Sequence, residues 1–116
     1  LKPYYPIRDG FYIETFPNRW IDGHSYYPTE YGHYSNIWVI GIEDELYFYN
    51  NENEHNYKKM YNISGAYVKA LSKIEIEVKQ DLNKAYPIEI YLGGKIGTIK
   101  LYCYSRVDQD KWIGKL

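Results

Sequence analysis

Residues 100–104, Lys-Leu-Tyr-Cys-Tyr, alternate apolar and polar side chains as a half-buried strand does, and the pattern then changes period at Ser105. Ser105 followed three residues later by Asp108 resembles a capping box. Acids occupy the early part of the segment, and Lys111 and Lys115 lie near its end, as a helix dipole prefers. Trp112, Ile113 and Leu116 stand at i, i+1 and i+4 and share one face. A chain otherwise patterned for strands therefore ends in one short amphipathic helix that carries a Trp. Such a helix must lay its apolar face on something the strands leave open.

The strands can be read from the rest of the chain. Residues 1–9, with Pro3 and Pro6, form an extended lead-in, and residues 10–16 the first strand. Residues 17–35, with Gly23, Pro28 and Gly32, read as a long loop. A strong strand follows over 36–42, and Glu43-Asp44 reverses the chain into 45–50. After an Asn-rich loop over 50–56, residues 59–71 read as a bent strand with a bulge or break at Ser64-Gly65. Ile74, Ile76 and Val78 alternate with Glu75, Glu77 and Lys79, as do Ile88, Ile90 and Leu92 with Glu89 and Tyr91. Gly93-Gly94 turns the chain into the last strand, over 97–104. The expectation is an all-β domain over residues 10–116, with seven antiparallel strands and one C-terminal helix.

Composition narrows the function. The chain has 116 residues and a net charge of −1, so nothing global draws it to nucleic acid or to an anionic membrane. Any electrostatic site must be a local patch. The single cysteine, Cys103, cannot make an intrachain disulfide, which favours a reducing, cytoplasmic setting, and its phase with Ile99 and Leu101 assigns it to the core. Asn62-Ile63-Ser64 matches the glycosylation pattern, which carries no meaning in such a compartment. The sixteen tyrosines suit either the wet face of a small β-domain or an aromatic ligand surface. His24, His33 and His55 lack metal-ligand spacing, and no nucleophile or phosphate-loop motif occurs. The expectation is a monomeric module without enzymatic activity, metal or cofactor.

Seven strands closed by a C-terminal helix with a Trp resemble the pleckstrin-homology (PH) domain. Gly10-Phe11-Tyr12 looks like its first strand, Ile37-Trp38-Val39-Ile40 its second, Leu46-Tyr47-Phe48-Tyr49 its third and Tyr61 through Val68 its fourth. Ile88-Glu89-Ile90 and Ile99-Lys100-Leu101-Tyr102 look like the sixth and seventh. The resemblance implies a barrel or sandwich of two near-orthogonal sheets, capped by the helix, with an anionic lipid head group held by loops at the open end. Glu14 stands where the family's strand-one Lys would be, and Ser35 and Asn36 where its basic pair would be. A phosphatidic acid head group is therefore favoured over a phosphoinositide.

On that fold Arg19, Lys58, Lys59 and Lys95 would gather at one end with His33, and Trp20 would enter the membrane interface beside them. Four cations near an anionic surface contribute roughly 4 kcal/mol, about millimolar affinity, so a second anchor such as an acyl chain is expected. Leu1 rather than Met opens the sequence, so that anchor would lie upstream. Small size, Asn bias and lipid anchoring resemble the acylated PH-domain proteins of apicomplexan parasites, which implies a peripheral membrane sensor in regulated secretion. The alternative is a PH-fold module that binds protein rather than lipid.

Overall fold

The computed structural model describes residues 19–116. It contains β1 (Arg19–Pro28), β2 (Tyr34–Ile42), β3 (Glu45–Tyr49), β4 (Lys59–Asn62), β5 (Tyr67–Ala70), β6 (Ile74–Val78), β7 (Asp81–Gly93), β8 (Gly97–Cys103) and α1 (Arg106–Lys115). The described residues are mostly β-sheet with one helix, at their C-terminal end.

Two groups of strands share the sheet. β1, β2, β3 and β4 form an antiparallel meander. In the second group β7 is central, with β5 and β6 end to end along one edge and β8 along the other. The groups touch through two single bridges, Tyr26 to Tyr102 between β1 and β8 and Tyr34 to Val78 between β2 and β6. The sheet is strongly curved but not a closed barrel. Buried Ser25 reinforces the first junction, accepting from the Tyr102 N–H at 2.9 Å.

Several expectations need correction. Residues 19–28, expected within a loop, are a ten-residue strand paired with β2 almost throughout. The expected first strand over 10–16 and the residue Glu14 lie outside the described residues. The bent strand over 59–71 is two strands, split at the expected Ser64-Gly65 break, with β4 pairing β3 and β5 pairing β7. β7 begins earlier than expected, because β6 reverses into it through Lys79 and Gln80. Both adopt positive φ, 49° and 71°, the geometry of a two-residue hairpin turn, without the Gly or Asn that signals it.

Alternation decides which side chains form the core. Ile37 and Val39 of β2, Leu46 and Phe48 of β3, Ile88 and Ile90 of β7, and Leu101 and Cys103 of β8 pack with Trp112 in the main cluster. The opposite faces of β2 and β3 carry a second cluster of Trp38, Ile40, Ile42, Tyr47 and Tyr49. The central strands of the meander are thus buried on both sides, which explains their nearly unbroken apolar runs.

α1 closes one end of the strands. Ser105 caps it, its Oγ accepting from the Asp108 N–H at 3.1 Å. Trp112 is buried, while Ile113 and Leu116 pack half-buried against the same cluster. Gln109 is also buried, and its amide donates to Leu71 O and Pro87 O, both at 2.9 Å. It pins the helix to the chain after β5 and to the middle of β7. No helix among the described residues is long and apolar enough to cross a membrane.

Candidate functional site

The register fixes which turns share an end. β1 runs toward its turn at Pro28, opposite Tyr34. β3 is antiparallel to β2 and ends near the same level, with Tyr49 opposite Trp38. β8 is antiparallel to β1 and meets it at Tyr102 and Tyr26, so the start of β8 lies beyond Pro28. The β1–β2 turn, the β3–β4 loop and the β7–β8 turn therefore occupy one end of the sheet. The β2–β3 turn and the C-terminal end of α1 occupy the other.

That arrangement divides the residues expected to act together. Lys58 and Lys59 follow the β3–β4 loop, Lys95 sits in the β7–β8 turn, and His33 lies in the β1–β2 turn. These four share the loop end. Arg19 and Trp20 open β1 and sit at the helix end. Arg19 forms an ion pair with Asp22. The Trp20 indole N–H donates to Glu43 O at 2.9 Å, and its ring meets Trp112 edge-on at 6.5 Å between centroids. Ten extended residues span roughly 30 Å, so neither residue joins the lysines. His33 lies 3.0 Å from a Glu77 carboxylate oxygen on β6, so a negative group stands beside it.

The lysines border a cavity of about 220 Å³ lined by Tyr27, Ser35, Ile37, Phe48, Tyr49, Asn50, Lys58 and Lys59. Its lining combines an aromatic and aliphatic wall with hydroxyl, amide and ammonium groups. Lys59 Nζ donates to the Tyr27 hydroxyl at 3.0 Å and lies 5.6 Å from that ring's centroid. The hydrogen bond to Tyr27 is the main reason the Lys59 pKa is raised above its ordinary value, so the ammonium stays charged at neutral pH. Lys58 and Lys95 are exposed and form no ion pair among the described residues. Such groups can meet an anion without first breaking an ion pair.

Tyr27 falls within residues 17–35, which read from sequence as a long loop. Its place beside Lys59 follows from β1 being a strand, which aims it at the same face as Phe48, whose ring it meets edge-on at 6.3 Å. Among the described residues no group of His, Cys, Asp and Glu is arranged to hold a metal. In comparisons with known proteins, no family model and no curated protein matches this chain.

Proposed function

We propose that this protein is a PH-like module that binds an anionic phospholipid, with phosphatidic acid the favoured head group, through Lys58, Lys59 and Lys95 at the loop end of the sheet. The observation that carries the reading is the cavity bordered by Lys58 and Lys59, with Lys59 steadied by Tyr27, in a chain whose net charge is only −1. Lys58, Lys59 and Lys95 stand where three turns meet, and Glu30, Glu52 and Glu54 lie in two of the same turns. Support for the PH-like assignment comes from the pairing order: a four-strand meander, then a group around β7, then a helix over the far end. Arg19 and Trp20 have no part in this reading.

A compact phosphomonoester suits the site, because Lys58 and Lys59 can approach it together and Ser35 and Asn50 add polar groups at the wall. Three lysines near an anionic surface contribute about 3 kcal/mol, too little to hold a protein on a membrane alone. The proposal therefore includes a peripheral, reversible association assisted by a further anchor.

Vesicle flotation tests the reading. Vesicles with phosphatidic acid should carry the folded protein at low salt, vesicles of phosphatidylcholine should not, and added salt should release it. Lys58→Glu with Lys59→Glu should abolish flotation without unfolding the protein, since both positions are exposed. Equal flotation with neutral and anionic vesicles would end the lipid proposal.

One observation favours the protein-binding alternative. Tyr67 and Tyr91 face each other across β5 and β7 and are 77 % and 51 % exposed. Paired exposed tyrosines, one of them on a short outer strand, suit capture of an extended peptide. If Tyr67→Ser with Tyr91→Ser, rather than the lysine reversals, abolished recruitment in cells, this second reading would replace the first.

A further inference from the structure

We propose that the cleft where β1 and β8 diverge receives one acyl chain of the phospholipid whose phosphate lies against Lys58 and Lys59. The inference rests on the lipid reading above and adds to it the part of the lipid that is recognised. β1 and β8 pair only at Tyr26 and Tyr102. Beyond that bridge the β1–β8 ladder does not continue; Tyr27 and Pro28 pair only with β2, and residues 98–101 only with β7. The gap opens a cavity of about 460 Å³.

Its apolar lining includes Tyr27, Phe48, Tyr61 and Ile99, all members of or packed on the main core cluster. The sheet thus exposes part of its core through a slot, at the end where the lysines stand. Tyr27 and Phe48 line both this cleft and the lysine-bordered cavity, so the two adjoin at those side chains. Lys100 and Glu89, opposite each other in the β7–β8 register, also line the cleft and offset each other's charge. The lining is therefore apolar with a neutral polar rim, next to a cationic site. A single-chain phosphate amphiphile matches both halves. Partial entry of a chain would also supply the apolar contribution that the three lysines lack.

A soluble series tests this with the protein as it stands. Glycerol 3-phosphate and lysophosphatidic acids with chains of four, six and eight carbons are titrated by calorimetry. Affinity should rise by about fourfold for each methylene that the cleft buries. Thr98→Trp, at an exposed position on the rim, should flatten that dependence while leaving glycerol 3-phosphate binding unchanged, and Ile99→Asn, which adds no charge beside the lysines, should flatten it as well. Circular dichroism checks that both variants are folded. Equal affinity across the series, with phosphatidic acid vesicles still floating the protein, would overturn the acyl-chain inference and leave the head-group reading standing. Chain dependence that both folded variants retain would also overturn it, because the chain would then lie elsewhere. Absence of binding to both the series and the vesicles would remove the lipid reading and this inference together.

Discussion

Trp112→Ala removes the residue through which the helix closes the sheet. Trp112 is 2 % exposed, its indole lies 3.5 Å from where a Cβ on Gly23 would stand, and its ring meets Trp20 edge-on. Three independent features thus converge on one side chain: a small residue on β1, an aromatic partner, and the core of β7 and β8. A buried aromatic of this size removes about 150–250 Å² from water, which at about 25 cal/mol per Å² is roughly 4–6 kcal/mol. Alanine retains part of that, the edge-on pair adds about 1 kcal/mol, and buried Trp→Ala changes cost about 3–5 kcal/mol. An expected loss of about 4 kcal/mol is a large share of the roughly 5–15 kcal/mol that holds a domain folded. Urea denaturation followed by far-ultraviolet circular dichroism reads it directly. With a slope of about 2 kcal/mol per M, the midpoint should fall by about 2 M. Val107→Ala, on the same helix but 76 % exposed, should move it by less than about 0.3 M. A Trp112→Ala midpoint within that margin of the parent would refute the claim that α1 is part of the core.

Three other perturbations have definite expected outcomes. A Cβ at Gly41 would lie 2.6 Å from the Trp20 ring, so Gly41→Ala should displace the indole from Glu43 O and cost about 1–3 kcal/mol, read as a lower melting temperature. Gln109→Glu removes the amide donors from two carbonyls and should cost at least about 1–3 kcal/mol in the same assay, because a buried carboxylate cannot replace them. Burial, and secondarily Asp108, raises the Cys103 thiol from 9.0 to about 12, and burial first raises Tyr102 and Tyr104 from 10.0 to about 12. All three stay neutral longer in the folded state than in the unfolded one, so their contribution is complete below about pH 9 and is lost as pH rises toward 12. Unfolding free energy should therefore fall over that window, Cys103→Ala should lessen the fall, and the folded protein should resist a thiol reagent at pH 8.

What could be read from the sequence follows from where local signals and tertiary packing agree. The helix was legible because Ser105, the charges and the Trp112 face all point the same way. β2, β3 and β6 were legible from alternation or from dense apolar runs. β1 was not, because its inward positions include Gly23 and Ser25. Gly23 leaves room for Trp112, which comes from the far end of the chain, and Ser25 takes over a ladder bond between strands that are separating. Small inward residues look like a loop until the large partner is in place. The β6–β7 turn was hidden for a different reason, since Lys79 and Gln80 adopt a backbone conformation that usually calls for Gly or Asn. At the candidate site, adjacent Lys58 and Lys59 needed only sequence proximity. The separation of Arg19 and Trp20 from them depended on recognising β1, since a strand places its two termini at opposite ends of the sheet while a loop could bring them together.

The claim that the loop end meets the lipid is tested most directly by backbone amide chemical shifts of the labelled protein titrated with a soluble short-chain phosphatidic acid. The largest changes are expected at Tyr27, Ser35, Asn50, Lys58 and Lys59, smaller ones at Lys95, and none at Arg19, Trp20 or Lys115. Changes centred on Trp20, Ser64 and Lys115, around the cavity at the helix end, would contradict it.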